Sequence, residues 1–184
     1  MPAKEIKLTK AKEIRTCLGF IEHGGVCCNI SHHIQYLEFL YQIKKIHEPK
    51  STSQSLLNKT IIIEYFTVIE AILDSLLCSL KVTTNNKIVP LEVKEYTKAD
   101  ELMRLAKHYN IISQDIHSQI GQIKDTRNKI HIKRSKPGKK LEYQEYPDSL
   151  LKQREKIFKN FMIYLFERHN VDYSKFLWPW KTHT

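Results

Sequence analysis

The stretch from residue 53 to 81 constrains this fold most. At about 100° of rotation per residue, Ile62, Tyr65, Phe66, Ile69, Leu73, Leu76, Leu77 and Leu80 fall within about 60° of Ile62. Ile61, Ile63, Val68 and Ile72 widen that stripe beyond what an ordinary surface helix carries. A helix apolar over so much of its circumference belongs at the centre of a bundle, touched by several neighbours. The run is long enough to span a bilayer, but Glu64, Glu70 and Asp74 lie within it and each is costly in hydrocarbon. It reads as a core helix, and no membrane segment is expected.

Helical periodicity continues on both sides. Residues 5–18 and 31–47 form two helical segments, separated at Gly24-Gly25, with Ser31 as a candidate N-cap and Pro49 as the stop. Ser51, Thr52 and Ser53 offer caps for the central helix. Residues 82–96 read as a loop holding a short extended piece at 88–93. Helices follow over 97–109 and 112–132, joined near Asn110, and Pro137 and Gly138 break the pattern. A last helix spans 148–169, with Asp148 or Ser149 as N-cap, before an aromatic tail, VDYSKFLWPWKTHT, that docks on the body. There is no internal repeat and no βαβ alternation. The expectation is an all-α chain: a single bundle of about four to six helices over 51–170. Residues 1–50 form a helical extension packed on it, and 171–184 a C-terminal tail.

Apolar residues make up 41% of the 184, with only 5 Gly and 6 Pro, which excludes a disordered or low-complexity chain. The net charge of +10 favours a polyanionic partner, nucleic acid or an acidic surface. Four cysteines, two of them adjacent, do not form a secreted disulfide framework, and the charged N-terminus lacks the apolar block of a signal peptide. A cytoplasmic protein is expected.

The informative segment is IKDTRNKIHIKR at 123–134. Its helix carries Ile112, Ile116, Ile120, Ile123 and Ile130, with a gap of seven residues before the last. Arg127 stands in that gap, about 40° from Ile123 and inside the apolar arc, while His131 lies near 80°, one turn on. A guanidinium on an inward face needs a carboxylate, a phosphate or water. One reading is structural: an ion pair with an acid bordering the central stripe, such as Glu70. The other is phosphate handling, with Arg127 as a fork for phosphate oxygens and His131 as proton donor or acceptor. Residues 124–140 hold eight Lys and Arg against one Asp, so +7 of the chain's +10 sits beside this pair.

An amphipathic helix ending in arginine, a polar residue, a short gap and histidine resembles the HEPN superfamily. EYFTVIEAILDSLL at 64–77 is similar to that family's central helix, and residues 101–134 resemble its helix–turn–helix leading into the motif. The resemblance covers about residues 55–170. It implies a four- or five-helix bundle that dimerises, and in many members a metal-independent endoribonuclease of toxin–antitoxin or antiviral systems. Carried over, it assigns Arg127, Asn128 and His131 as catalytic. Only Asn128, Lys129 and Ile130 separate arginine from histidine, a shorter gap than the family's. In the implied reaction the RNA 2′-hydroxyl attacks the adjacent phosphate, His131 moves a proton and Arg127 stabilises the added negative charge. Asn128 holds His131 or a phosphate oxygen. No metal or cofactor is expected.

Lys124, Lys129, Lys133, Arg134, Lys136, Lys139 and Lys140 are the candidate nucleic-acid contacts. The expected partners are RNA, a second copy of the chain, because one small bundle hides only part of its apolar surface, and an antitoxin or other protein. The alternative class is a non-catalytic module that binds nucleic acid or a protein through the same basic segment.

Other constellations carry less. His23, Cys27, Cys28, His32 and His33 lie within eleven residues, but their spacing matches no common zinc pattern; buried Cys and capping His are the default. Cys17 and Cys78 sit among apolar residues and read as core. Glu70 and Asp74, one turn apart, mimic a metal carboxylate pair but equally suit a solvated edge. No phosphate loop of the P-loop type occurs. The terminal aromatic run suits base stacking or a membrane surface, but more often such a tail packs on its own protein.

Overall fold

Residues 6–84, 87–94, 97–128 and 145–181 are described by the computed structural model. Among them six α-helices run in the order α1 (Ala11–Cys17), α2 (Gly24–His47), α3 (Ser51–Cys78), α4 (Ala99–His108), α5 (Gln114–Asn128) and α6 (Asp148–Arg168). A small antiparallel hairpin, β1 (Lys81–Thr84) with β2 (Lys87–Pro90), joins α3 to α4 in the register Lys81 with Pro90. The chain is an all-α bundle, and no helix among the described residues is long and apolar enough to cross a membrane.

Helix α3 lies at the centre, in contact with α2, α4, α5 and α6. Its residues Ile61, Ile62, Tyr65, Phe66, Val68, Ile69, Ile72, Leu73 and Leu77 are fully buried. The wide apolar perimeter is therefore covered by the chain's own helices. The central helix therefore gives no argument of its own for a second copy, and the expectation of a dimer rests on the family resemblance.

Several boundaries differ from the sequence expectation. Helix α2 begins at Gly24, so the two glycines are its first turn rather than a separator. His23 is its N-cap, with Nδ1 accepting from the Val26 N–H at 3.3 Å. Ser31 lies inside the helix, its hydroxyl donating to the Cys27 carbonyl at 2.8 Å. Helix α1 starts only at Ala11 because the preceding residues are strapped to α2 in extended form. The Thr9 N–H donates to Glu38 Oε2 at 2.8 Å, and Gln35 Nε2 donates to the Thr9 carbonyl at 2.6 Å. Those backbone groups have partners outside a helix and gain nothing by forming one.

The α2–α3 joint falls where Pro49 predicts, with Glu48 in the left-handed region at φ 41°. Neither expected cap serves α6: Pro147 is the N-cap, and the carboxylate of Asp148 turns back toward α2 and α3 instead. It accepts from Lys44, from Asn58 Nδ2 at 2.9 Å and from Gln54 Nε2 at 2.6 Å. Asn58, fully buried, also donates to the Tyr146 carbonyl at 2.9 Å. Burial pushes the Asp148 carboxyl up, but these hydrogen bonds outweigh it and hold the group below its usual value. The tail docks as expected. Phe176 and Trp178 are buried, and rings run from Phe166 through Phe176 and Trp178 to Trp180 at centroid spacings of 5.1, 5.0 and 5.2 Å.

Candidate functional site

The last turn of α5 carries Arg127. Ile116, Ile120 and Ile123 anchor the helix in the core, and Thr126 is buried beside them. Thr126 is tied to α6, its hydroxyl accepting from Arg154 Nε at 3.0 Å. The helix is thus fixed on both sides before Arg127 emerges. Its guanidinium lies over the Phe66 ring, 5.5 Å from the centroid, and Nη2 stands 3.7 Å from Glu70 Oε2. Nη1 reaches Asn128 Oδ1 at 3.5 Å. The pairing with Glu70 that the helical wheel suggested is present, but it is long. The Arg127 side chain remains 41% exposed.

Burial raises the Glu70 carboxyl above its usual value, and the Arg127 charge only partly offsets that. Asp74, one turn further along α3, is also pushed up by burial. The corner therefore joins a half-exposed guanidinium, whose donors are only loosely engaged, to an edge of carboxyls that burial makes reluctant to ionise. A phosphate presented to Arg127 would meet planar donors held in place by Phe66.

The other predicted site residues divide. Asn128 ends α5 beside Arg127. Lys124 turns the other way. It is largely buried, paired with Asp100 of α4 and 3.5 Å from Asp125, so its charge clamps α4 to α5. His131, Lys129, Lys133, Arg134, Lys136, Lys139 and Lys140 lie outside the described residues.

The His and Cys cluster separates into individual contacts. His23 caps α2, His32 Nδ1 meets Gln35 at 2.9 Å, and His33 pairs with Glu64. Cys27 is buried, and Cys28 approaches Arg15 at 3.8 Å. Among the described residues no three His, Cys, Asp or Glu side chains gather for a metal. All four cysteines are free. Cys17 is core as expected, whereas Cys78, the last residue of α3, is exposed although Leu76 and Leu77 beside it are buried. Burial raises the thiols of Cys17, Cys27 and Cys78, which opposes a nucleophilic role.

Sequence reasoning missed Arg154, which braces α5 through Thr126 and through Gln122 Oε1 at 3.2 Å. Burial depresses its guanidinium, countered in part by Asp125. Its position on α6 carries no local signal, since the residues it serves lie about 30 positions away. No family model, curated protein or solved structure matches this chain.

Proposed function

We propose that this chain is a HEPN-like protein that acts on RNA. In this reading it cleaves the strand without a metal through Arg127 and His131, with Asn128 holding the imidazole or a phosphate oxygen. The observation that carries the reading is the state of Arg127. It ends a braced helix, stays half-exposed over Phe66, and engages its acid only at 3.7 Å. The chain then runs on through a segment whose net charge over 124–140 is +7. Two copies would bring their α5 helices to one cleft, as the family resemblance implies. An acidic protein partner, such as an antitoxin, would suit the same positive segment.

The test is cleavage of mixed RNAs in EDTA by the full chain and by the His131→Ala variant. Loss of a general acid–base group lowers the rate by about 10²–10⁴-fold. Equal cleavage by both proteins, or none across varied RNAs, removes the catalytic claim. Light scattering at micromolar concentration should give twice the chain mass of 21.8 kDa. A single-chain mass removes the shared cleft.

A second reading is favoured by one observation, the Arg127–Glu70 pair itself. If that pair serves the fold, the protein binds nucleic acid through its basic segment without cutting. Charge removal at Lys133, Arg134, Lys136, Lys139 and Lys140 then weakens binding and flattens its salt dependence, while His131→Ala changes nothing.

A further inference from the structure

The β1–β2 hairpin is built from strand-forming residues, yet the core gives it no support. Val82, Thr83, Ile88 and Val89 are β-branched, as in the interior of a sheet. Lys81, Thr83 and all of β2 are nonetheless exposed, and Ile88 is 73% exposed. Among the described residues the sheet has two strands only, and no helix packs along either of them. A two-stranded hairpin with both faces in water is marginal by itself. A third strand would complete it.

The register fixes which edge is open. Just outside the strands, the Leu91 N–H donates to the Leu80 carbonyl at 2.8 Å. Hydrogen-bonded and non-hydrogen-bonded pairs alternate along an antiparallel ladder. Counted from that pair, Val82–Val89 and Thr84–Lys87 exchange bonds, while Lys81–Pro90 and Thr83–Ile88 do not. The backbone groups of the second set therefore point outward, away from the partner strand. On β2 these are Ile88 and Pro90, and proline has no N–H, so that edge is blunted. On β1 they are Lys81 and Thr83, each with a donor and an acceptor at ladder spacing. The open edge is β1.

Charge selects what fits it. Residues 81–90 hold Lys81 and Lys87 and no acid, so pairing with a second copy's hairpin would bring like charges together. Lys81, Thr83 and Ile88 share one face, because side chains alternate along a strand and Thr83 pairs with Ile88. An antiparallel strand added to β1 meets Thr83 with one residue and Lys81 with the residue two positions later. We propose that β1 takes up, by strand addition, an extended segment of a protein partner. That segment carries a β-branched apolar residue opposite Thr83 and an acidic residue opposite Lys81. The apolar residue extends the row of Ile88 and Thr83, the acid offsets Lys81, and backbone bonds supply the rest. The described strand residues include no aromatic ring for bases to stack on, which favours a peptide over a nucleic acid. The proposal goes beyond the RNA reading and does not depend on it.

Amide hydrogen exchange, read residue by residue by NMR on the full chain, tests it. In the free chain Lys81 and Thr83 should exchange faster than Val82, whose N–H lies inside the ladder. The probe is the capped peptide Ser-Thr-Val-Thr-Glu-Thr-Ser at millimolar concentration. Near saturation it should slow exchange at Lys81 and Thr83 by about tenfold. The same peptide N-methylated at its valine and glutamate nitrogens should leave both amides unchanged, as should oligouridylate. Lys81 is exposed, so Lys81→Glu keeps the fold and weakens the peptide by about threefold to tenfold. Thr83→Pro removes an outward donor without touching a β1–β2 bond. It should abolish the slowing at Lys81 while Val82 stays protected and the melting temperature is unchanged. The proposal is overturned if the acidic peptide leaves Lys81 and Thr83 unchanged, or if the N-methylated peptide or oligouridylate slows them equally. It is also overturned if Lys81→Glu has no effect. Protection of both amides in the free chain that rises with protein concentration would place a second copy on this edge, and would overturn it as well.

Discussion

At the junction of α2, α3 and α6, Asp148 receives Lys44, Asn58 and Gln54, and Asn58 also holds the Tyr146 carbonyl. At the end of α5, Arg127 meets Glu70 at 3.7 Å and Asn128 at 3.5 Å, and otherwise lies on a ring. Both places pair a basic side chain with an acid across helices. The first is over-determined: removing one donor leaves others, and its carboxyl is held below its usual value. The second is under-determined, and its carboxyl is pushed up by burial. An ion pair that serves packing satisfies itself. One that leaves planar donors loosely engaged at a half-exposed position is suited to a ligand that supplies the missing acceptors.

The comparison breaks first under mutation. Asn58→Ala removes, from a fully buried side chain, the hydrogen bonds to the Tyr146 carbonyl and to Asp148, and should cost about 2–3 kcal/mol in urea unfolding. Arg127→Ala removes a long, partly exposed pair and a ring contact, worth less than about 1 kcal/mol. Equal losses would show that the two sites are built alike.

Acid titration sharpens it further, because the two carboxyls carry opposite signs. The folded-state pKa of Asp148 is depressed, so its stabilisation is present above the unfolded value, near 4, and is lost as pH falls through the folded value. Glu70 is raised, so the native state gains relative to the unfolded one as pH falls from the folded toward the unfolded value. Asp148→Asn should flatten the acid loss of stability, and Glu70→Gln should remove the small gain above it. Both side chains are partly exposed, so the slopes are shallow. Stability measured from pH 7 to 3 decides this; an unchanged profile in Asp148→Asn contradicts the assignment. The smallest effect is that of Glu70→Gln at neutral pH, within about 0.5 kcal/mol of the parent by thermal melting. A larger loss would mark the Glu70 pair as structural.

What the sequence made legible follows from periodicity. The burial of α3 and the Arg127–Glu70 pairing follow from residues at helical spacing, whose neighbours are fixed by 3.6 residues per turn, while the stop at Pro49 and the joint at Asn110 follow from residue types that leave the helical region. The start of α2 at Gly24 was hidden because two glycines read as a break, whereas the His23 cap needs only a ring nitrogen near the Val26 N–H. The extended strap at residues 7–9 was equally hidden. Its hydrogen bonds come from Gln35, Glu38 and Gln42, one to several turns along a different element. A cleft lined by Tyr41, Glu155 and Trp180 draws on three segments far apart in the chain, and no local pattern announces such a meeting. Tertiary assembly, rather than propensity, sets these features.

The central claim is that Arg127 is held for a ligand more than for the fold. The most direct test measures stability and action on RNA for the same Arg127→Ala protein, by urea unfolding and by cleavage and binding of mixed RNAs in EDTA. The account predicts a stability loss below about 1 kcal/mol together with a fall in cleavage of about 10²-fold or more. A loss of about 3 kcal/mol or more, with action on RNA unchanged once folding is restored, would contradict it.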